Sequence, residues 1–358
     1  MLLLLINCSE RTLPGSTPNF DFMQLTSDPH TWCAIVNIFA ASRKAVSLWK
    51  KAEERLREDH VSFEAHYTGD DGNAMSLAYA ACAEGARKFI AVGGDGTVHD
   101  VLEGIMSYVE GSDNQNGVSL SDFILAVIPV GSGNDWIKTA GIPKDVVKAA
   151  SLLSSGTVMK QDVVRVSLLD ASALPSEKVM ATSYMANIGG IGLDARVCEM
   201  VNKAKQRGKR GKKLYVSALL YNMIHRIPSS ARVLCDGKQV FSGSFISMAF
   251  GIGKYSGGGM RQTPDAELDD GFLDMTIIPD LPLMKLAKKA PRLFNGSLLK
   301  VRELVTSRSR SITVIPFDES LPCCAVCGEP VEVDGEVTGK APVRFDVIGE
   351  QLNILVSR

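Results

Sequence analysis

Two apolar runs that each end in a glycine-rich turn constrain the fold of this chain more than any other feature. Lys88–Val92 leads directly into Gly93-Gly-Asp-Gly-Thr97, and Phe123–Val130 leads into Gly131-Ser-Gly-Asn-Asp135. After the first turn, Val98, Val101, Leu102, Ile105 and Met106 recur at the spacing of one helix face. A buried strand, a glycine turn and an amphipathic helix in that order make a βα unit of a parallel sheet. The residues before it repeat the alternation. Cys33–Ile38 reads as a strand, Ala45, Leu48, Trp49, Ala52 and Leu56 mark a helix, Val61–Tyr67 alternates as a strand, and Asn73–Glu84 is an alanine-rich helix. Gly111–Asp122 is a polar surface loop. Ligands of such sheets bind beyond the carboxyl ends of the strands, so both glycine turns are expected to face one cleft.

Past Lys160 the pattern changes. Val163–Leu169, Ala181–Ile188, Ala231–Cys235, Val240–Ala249, Phe272–Ile278, Ser311–Pro316 and Pro342–Ile348 are short strand candidates, interrupted by helical stretches near Leu193–Lys205 and Leu214–His225. The expected fold class is α/β plus β. A doubly wound parallel α/β unit over 31–160 is followed by an antiparallel, sandwich-like unit over 161–358. Residues 1–30, rich in Ser, Thr, Pro and Asn, read as a loose extension, with Met23 as an alternative first residue.

Composition narrows the function classes. With 358 residues, about two domains are expected. The 39 basic residues nearly balance 40 acidic ones, which argues against a nucleic-acid binder. No apolar run reaches the roughly 20 residues of a membrane-spanning helix. Cys324-x-x-Cys327 lacks a second pair to complete a metal site, and the eight cysteines fit a reducing cytoplasm.

Several residues carry chemistry. Glycines at 93, 94 and 96 let backbone approach a phosphate, and the following helix offers unpaired N–H groups with partial positive charge. A plain capped turn would use the same residues. Asp95 would repel a phosphate unless a cation such as Mg²⁺ lay between them, or unless it caps a helix. Neither a Walker A sequence nor a protein-kinase catalytic loop is present. Asp265, Glu267, Asp269 and Asp270 crowd one short stretch after Gly257-Gly-Gly-Met260 and repel one another unless solvated or shared by a cation. Val333-Asp-Gly-Glu-Val337 reads as a hairpin turn holding two carboxylates, one of which could accept a proton from an attacking hydroxyl.

In order, these motifs resemble the diacylglycerol kinase catalytic-domain family of lipid kinases, which includes bacterial diacylglycerol kinases and sphingosine kinases. The likeness runs from about Trp32 to the C-terminus; the first motif alone would also fit NAD kinases and phosphofructokinases. The resemblance implies ATP-dependent phosphorylation of a lipid hydroxyl, with a nucleotide unit and a β-sandwich flanking the active site. A NAD kinase-like enzyme and a non-catalytic nucleotide or lipid binder are the alternatives. It assigns nucleotide contacts to Asn37, Thr68, Gly93, Gly94, Asp95, Gly96, Thr97, His99, Gly131, Ser132 and Asn134. It makes Glu336 the favoured proton acceptor with Asp334 beside it. Asp162 and Asp270 match acidic positions tied to magnesium, with the backbone carbonyls of Glu267 and Phe272 completing a structural cation site. The first loop, from Asn37 to Ala41, departs from the family in lacking both proline and glycine.

The partners implied are a lipid substrate and an anionic membrane surface visited from the cytoplasm, with a homodimer as a further possibility and no nucleic acid. The basic run Lys203–Lys213, followed by Leu214, Leu219, Leu220 and Met223, is the expected membrane contact.

Overall fold

A computed structural model describes residues 31–40, 44–69, 73–131, 133–173, 178–207, 212–225, 229–318, 321–325 and 328–357. The N-terminal extension, Ser132, Cys327 and the middle of the basic run, 208–211, lie outside these residues. The chain first alternates β1 (Trp32–Val36), α1 (Ala45–Glu58), β2 (Phe63–Tyr67), α2 (Ala74–Ala83), β3 (Lys88–Gly93), α3 (Asp95–Val109), β4 (Ile124–Pro129), α4 (Trp136–Ala140), α5 (Val146–Ser155) and β5 (Thr157–Gln161). There follow β6 (Val164–Leu169), β7 (Val179–Met185), β8 (Ile188–Gly192), α6 (Leu193–Gln206), α7 (Lys212–Ile224), β9 (Ser229–Cys235), β10 (Lys238–Gly251), β11 (Tyr255–Ser256), β12 (Met260–Arg261) and β13 (Leu273–Pro279). The remainder comprises α8 (Leu283–Lys289), α9 (Arg292–Asn295), β14 (Val305–Ser309), β15 (Ser311–Asp318), β16 (Leu321–Ala325), β17 (Pro330–Val333), β18 (Glu336–Lys340), β19 (Val343–Val347) and β20 (Leu352–Val356).

The first sheet has the order β2-β1-β3-β4-β20-β5. Its strands run parallel except β5, which pairs antiparallel with β20. β1 buries all five residues, and the helical stripe Val98, Val101, Leu102, Ile105 and Met106 of α3 is buried against the sheet. Two strands of this sheet, β5 and β20, are absent from the sequence reading. β20 leaves the second unit and inserts between β4 and β5, so that Leu352, Ile354, Leu355 and Val356 belong to the first core.

The second sheet is antiparallel and branches at β10. The first part of this 14-residue strand pairs with β9, whereas its last residues pair with β8 on one side and β13 on the other. That exchange of partners folds the sheet onto itself, and Phe250 stacks on Phe345 at 4.4 Å between centroids inside the resulting sandwich. Two hairpins turn at the Asp-Gly pairs read from the sequence. Asp236 and Gly237, and likewise Asp334 and Gly335, all have positive φ (47°, 77°, 52° and 92°), as the tight twisted hairpin requires.

The units are joined near Gln161. Its buried side chain accepts from Trp136 Nε1 (3.0 Å) and donates to the carbonyl of Ala186 (2.9 Å). Among the described residues no helix is long and apolar enough to cross a membrane.

Candidate active site

The carboxyl edge of the first sheet gathers the residues expected at the nucleotide. Asn37 follows β1, Thr68 follows β2, Gly93–Thr97 ends β3 and opens α3, and Gly131 and Asn134 follow β4. Asn37 Nδ2 donates to Thr97 Oγ1 (3.0 Å) and its Oδ1 accepts from the N–H of Phe39 (3.0 Å). The two glycine turns touch through backbone: Gly131 N–H donates to Gly93 O (3.0 Å), and a Cβ on Gly131 would stand 2.4 Å from Gly94 Cα. Only glycine permits that approach.

Asn134 adopts φ 50° so that its Nδ2 reaches the carbonyl of Gly131 (2.8 Å). Thr68 Oγ1 and Asn134 Oδ1 are buried without a hydrogen-bond partner among the described residues. Buried polar atoms are normally satisfied, so two orphans at one sheet edge mark a place prepared for a polar ligand. The position of Ser132 lies outside the described residues.

Asp95 resolves one of the alternatives left open above. Its carboxylate accepts from the N–H groups of Asp135 (3.0 Å) and Trp136 (3.1 Å), capping the turn into α4 and tying the two glycine turns together. Burial, opposed by those two amides, pushes its carboxyl up to about 6.

The Asp334-Gly-Glu336 turn brings the second unit over this edge. Asp334 is buried and receives three backbone N–H groups, from Ala186 (2.8 Å), Asn187 (2.9 Å) and Ile188 (3.2 Å). His99 of α3 lies beside it, Nδ1 to Oδ2 3.5 Å, with Glu103 3.7 Å from Nε2. Burial disfavours a charged ring, yet Asp334, then Glu103 and Asp100, outweigh it and raise His99 to about 9.

Asp334 is therefore committed to holding backbone and His99. Glu336 is exposed instead. Its Oε1 lies over the first turn of α3, 3.7 Å from where a Cβ on Gly96 would stand, and Asn202 Nδ2 donates to its Oε2 (3.1 Å). Asp100 faces the same space; burial first, then the charges of Glu336 and Glu103, raise it to about 6 against the pull of His99. Asp100, Glu103, Asp135 and Asn202 escaped the sequence reading as site residues. Asp100 and Glu103 are legible only as polar breaks in the α3 stripe, and Asn202 arrives from α6, far away in sequence.

The residues expected at a structural cation lie close to one another. Asp162 and the 267–272 loop are brought together: Asp162 N–H donates to Leu268 O (2.6 Å), and its carboxylate accepts from Gly271 N–H (2.7 Å) and Gln351 Nε2 (2.8 Å). Asp270 accepts from Phe272 N–H (2.9 Å) and forms an ion pair with Arg308, which also lies over the Phe272 ring. Asp274 belongs to the same group, its Oδ2 buried without a hydrogen-bond partner among the described residues, and burial first, then the charges of Asp265 and Glu267, raise its carboxyl to about 6. No cluster of three or more His, Cys, Asp or Glu with metal-binding geometry occurs among the described residues.

Of the basic run, the side chains of Lys203 and Arg207 are described, both exposed. Lys203 pairs with Glu199 on α6 (2.6 Å), and Leu214 and Leu219 pack inward on Val197, Val201 and Ala218. The exposed stripe of α7 is Val216, Leu220 and Ile224. Between α6, α7 and β17–β18 lies an open groove of about 1250 Å³, lined by Met200, Leu214, Tyr221 and Val337 among others, with Lys203 and Arg207 at its wall.

Residues 31–166 match the model of the diacylglycerol kinase catalytic domain, and residues 188–356 match that of the YegS C-terminal NAD kinase beta sandwich-like domain. A diacylglycerol kinase of Mycobacterium tuberculosis is 26% identical over 91% of this chain and 94% of its own length. A probable lipid kinase YegS-like of Stenotrophomonas maltophilia is 29% identical over 84% and 90%. The crystal structure of a putative diacylglycerol kinase from Bacillus anthracis superposes with a TM-score of 0.67 at 19% identity, covering 92% of this chain and 97% of that one, a likeness of fold. With both halves matched in order, each spanning its own sheet and meeting at the cleft described, the chain belongs to the diacylglycerol kinase catalytic-domain family of lipid kinases.

Proposed function

We propose that this protein transfers the γ-phosphoryl group of ATP to a hydroxyl of a membrane lipid, a diacylglycerol or a sphingoid base. The observation that carries the reading is the placement of the Glu336 carboxylate over the first turn of α3, directly beside the touching glycine turns. The cradle supplies backbone N–H groups, the α3 N-terminus and the orphaned Thr68 and Asn134 oxygens toward phosphate and sugar. Gly93, Gly94, Gly96 and Gly131 admit the close approach, while Asn37 and Thr97 hold the loop in place.

A lipid hydroxyl is a weak nucleophile at neutral pH, and Glu336 is the base that takes its proton. Asn202 orients that carboxylate, and Asp334 acts through His99 and the 186–188 backbone as a positioning residue. Magnesium fits the crowded carboxylates at Asp100 and Glu336, whose mutual repulsion a cation relieves; bound with the nucleotide, it would supply neutralisation of phosphate charge. The groove beside α6 and β18 offers apolar side chains for acyl chains and is lined by Val337, the residue after Glu336.

The test is product formation from labelled ATP with diacylglycerol, a sphingoid base and NAD offered separately. Glu336→Gln is expected to lower kcat by about 10²–10⁴ with unchanged thermal stability. Full activity of this variant would remove Glu336 as the base, and NAD turnover without lipid turnover would overturn the substrate class.

A further inference from the structure

β13 and β14 are antiparallel neighbours, with Ile277 opposite Val305, yet the chain between them runs from 280 to 304. A hairpin needs roughly two to five residues, so most of this connection is an excursion that strand pairing does not require. The excursion holds α8, α9 and a 3₁₀ turn at Leu298–Lys300. Neither helix has a buried residue; Leu298 and Val301 are the buried residues of the segment.

What it leaves in solvent is unusual. Met284 is 70% and Phe294 58% exposed, with Leu283 and Leu299 also exposed. Between Leu281 and Arg302 the chain carries Lys285, Lys288, Lys289, Arg292, Lys300 and Arg302 and no acidic residue, in a protein of net charge −1. Only Lys289 is paired there among the described residues, with Glu303. Around α8 the apolar side chains of Leu283, Met284, Leu286 and Ala287 occupy one arc, and Lys285, Lys288 and Lys289 the other.

We infer that residues 281–302 form a docking surface for an anionic lipid bilayer, with Met284 and Phe294 entering the interface and Lys285, Lys288 and Lys300 meeting headgroup phosphates. The occupant follows from the pairing of features. A nucleic acid would match the cations but leave Met284 and Phe294 unused, and a second copy of the same surface would set lysine against lysine. An anionic bilayer satisfies both.

The surface is also built onto the wall of the cleft. Gly296, after α9, abuts Arg261, which stacks on Tyr255 (5.2 Å). Lys138 lies on the same ring (5.7 Å) and pairs with Asp135, whose other oxygen accepts from Gly258 N–H (2.6 Å). The contacts therefore run from the exposed segment to the second glycine turn, so docking would fix the cleft relative to the lipid surface. The inference rests on the lipid-kinase reading for its purpose, not for its measurement.

The experiment is co-sedimentation of the full chain with vesicles of phosphatidylcholine alone and of phosphatidylcholine mixed equally with phosphatidylglycerol. The wild type is expected to bind the anionic vesicles selectively. Met284→Gln/Phe294→Gln and Lys285→Gln/Lys288→Gln should each lower that partition about tenfold. Both variants alter exposed positions and should keep the wild-type melting temperature. On diacylglycerol dispersed in detergent they should also keep wild-type turnover, losing it only on vesicles. Equal vesicle binding by wild type and both variants would overturn the proposal, as would a loss confined to Lys203→Gln/Arg207→Gln. Vesicle binding that depends on 281–302 without phosphoryl transfer to any lipid would uphold the surface and refute the catalytic reading instead.

Discussion

Asp334 offers a test of how the two units are held together at the cleft. In Asp334→Asn the side chain keeps its shape but replaces one carboxylate oxygen with an NH₂ donor. With Oδ1 still accepting from Asn187 and Ile188, the new NH₂ faces the N–H of Ala186, now 2.8 Å from Oδ2. Leaving that buried amide unsatisfied costs about 1–3 kcal/mol. The second loss falls on His99, raised from 6.5 to about 9 chiefly by Asp334, against burial and with help from Glu103 and Asp100. At about 1.4 kcal/mol per tenfold, that whole shift is on the order of 3 kcal/mol, of which Asp334 holds the larger part. The sum is about 3–5 kcal/mol at pH 6.

The sign of the pH dependence follows. A histidine raised in the folded state stabilises fully below its unfolded value and loses that contribution as pH rises through about 9. The gap between wild type and variant should therefore shrink between pH 6.5 and pH 9, leaving only the amide part. Urea unfolding of both proteins at pH 6 and pH 9.5 measures it. A gap below about 1 kcal/mol at pH 6, or one that stays constant with pH, would refute the coupling of His99 to Asp334.

Other perturbations separate stability from ligand binding. Gly131→Ala places a Cβ 2.4 Å from Gly94 Cα and 2.9 Å from Gly94 N, so backbone must move; a loss of about 1–3 kcal/mol in stability and a raised KM for ATP are expected from unfolding and steady-state assays. Thr68→Val removes a buried hydroxyl that has no partner among the described residues, and should leave the melting temperature equal or higher while weakening nucleotide binding by calorimetry. Glu332 is pushed up to about 8 by burial and then by Asp194, so the wild type loses stability as pH climbs from about 4.5 to 8. Glu332→Gln removes that dependence, and its advantage in unfolding experiments should grow with pH, to an order of 4 kcal/mol by pH 8.

The pattern of legibility has a physical cause. The α/β unit was readable because its signals are local: apolar runs of strand length, a 3.6-residue stripe on α3, and glycines at two positions where backbones nearly touch. The Asp-Gly hairpins were readable because positive φ at both residues is a demand on residue type. What depends on distant partners was not readable. β20 is an ordinary apolar strand, and nothing in Leu352–Val356 says that it lies between β4 and β5. The role of Asp334 depends on amides at 186–188, and that of Asp95 on amides at 135 and 136; the sequence showed carboxylates and left their donors unnamed. The same reasoning explains the surface at 281–302. Leucines and methionines at helical spacing signal burial only when a neighbouring element covers them, and here neither α8 nor α9 has a buried residue. In the basic run first singled out, part of the charge and apolar surface is already engaged, Lys203 with Glu199 and Leu219 with the Val197 cluster. At α8 and α9 it is the absence of a covering element among the described residues, read together with the run of positive charge, that turns an apolar pattern from core into surface.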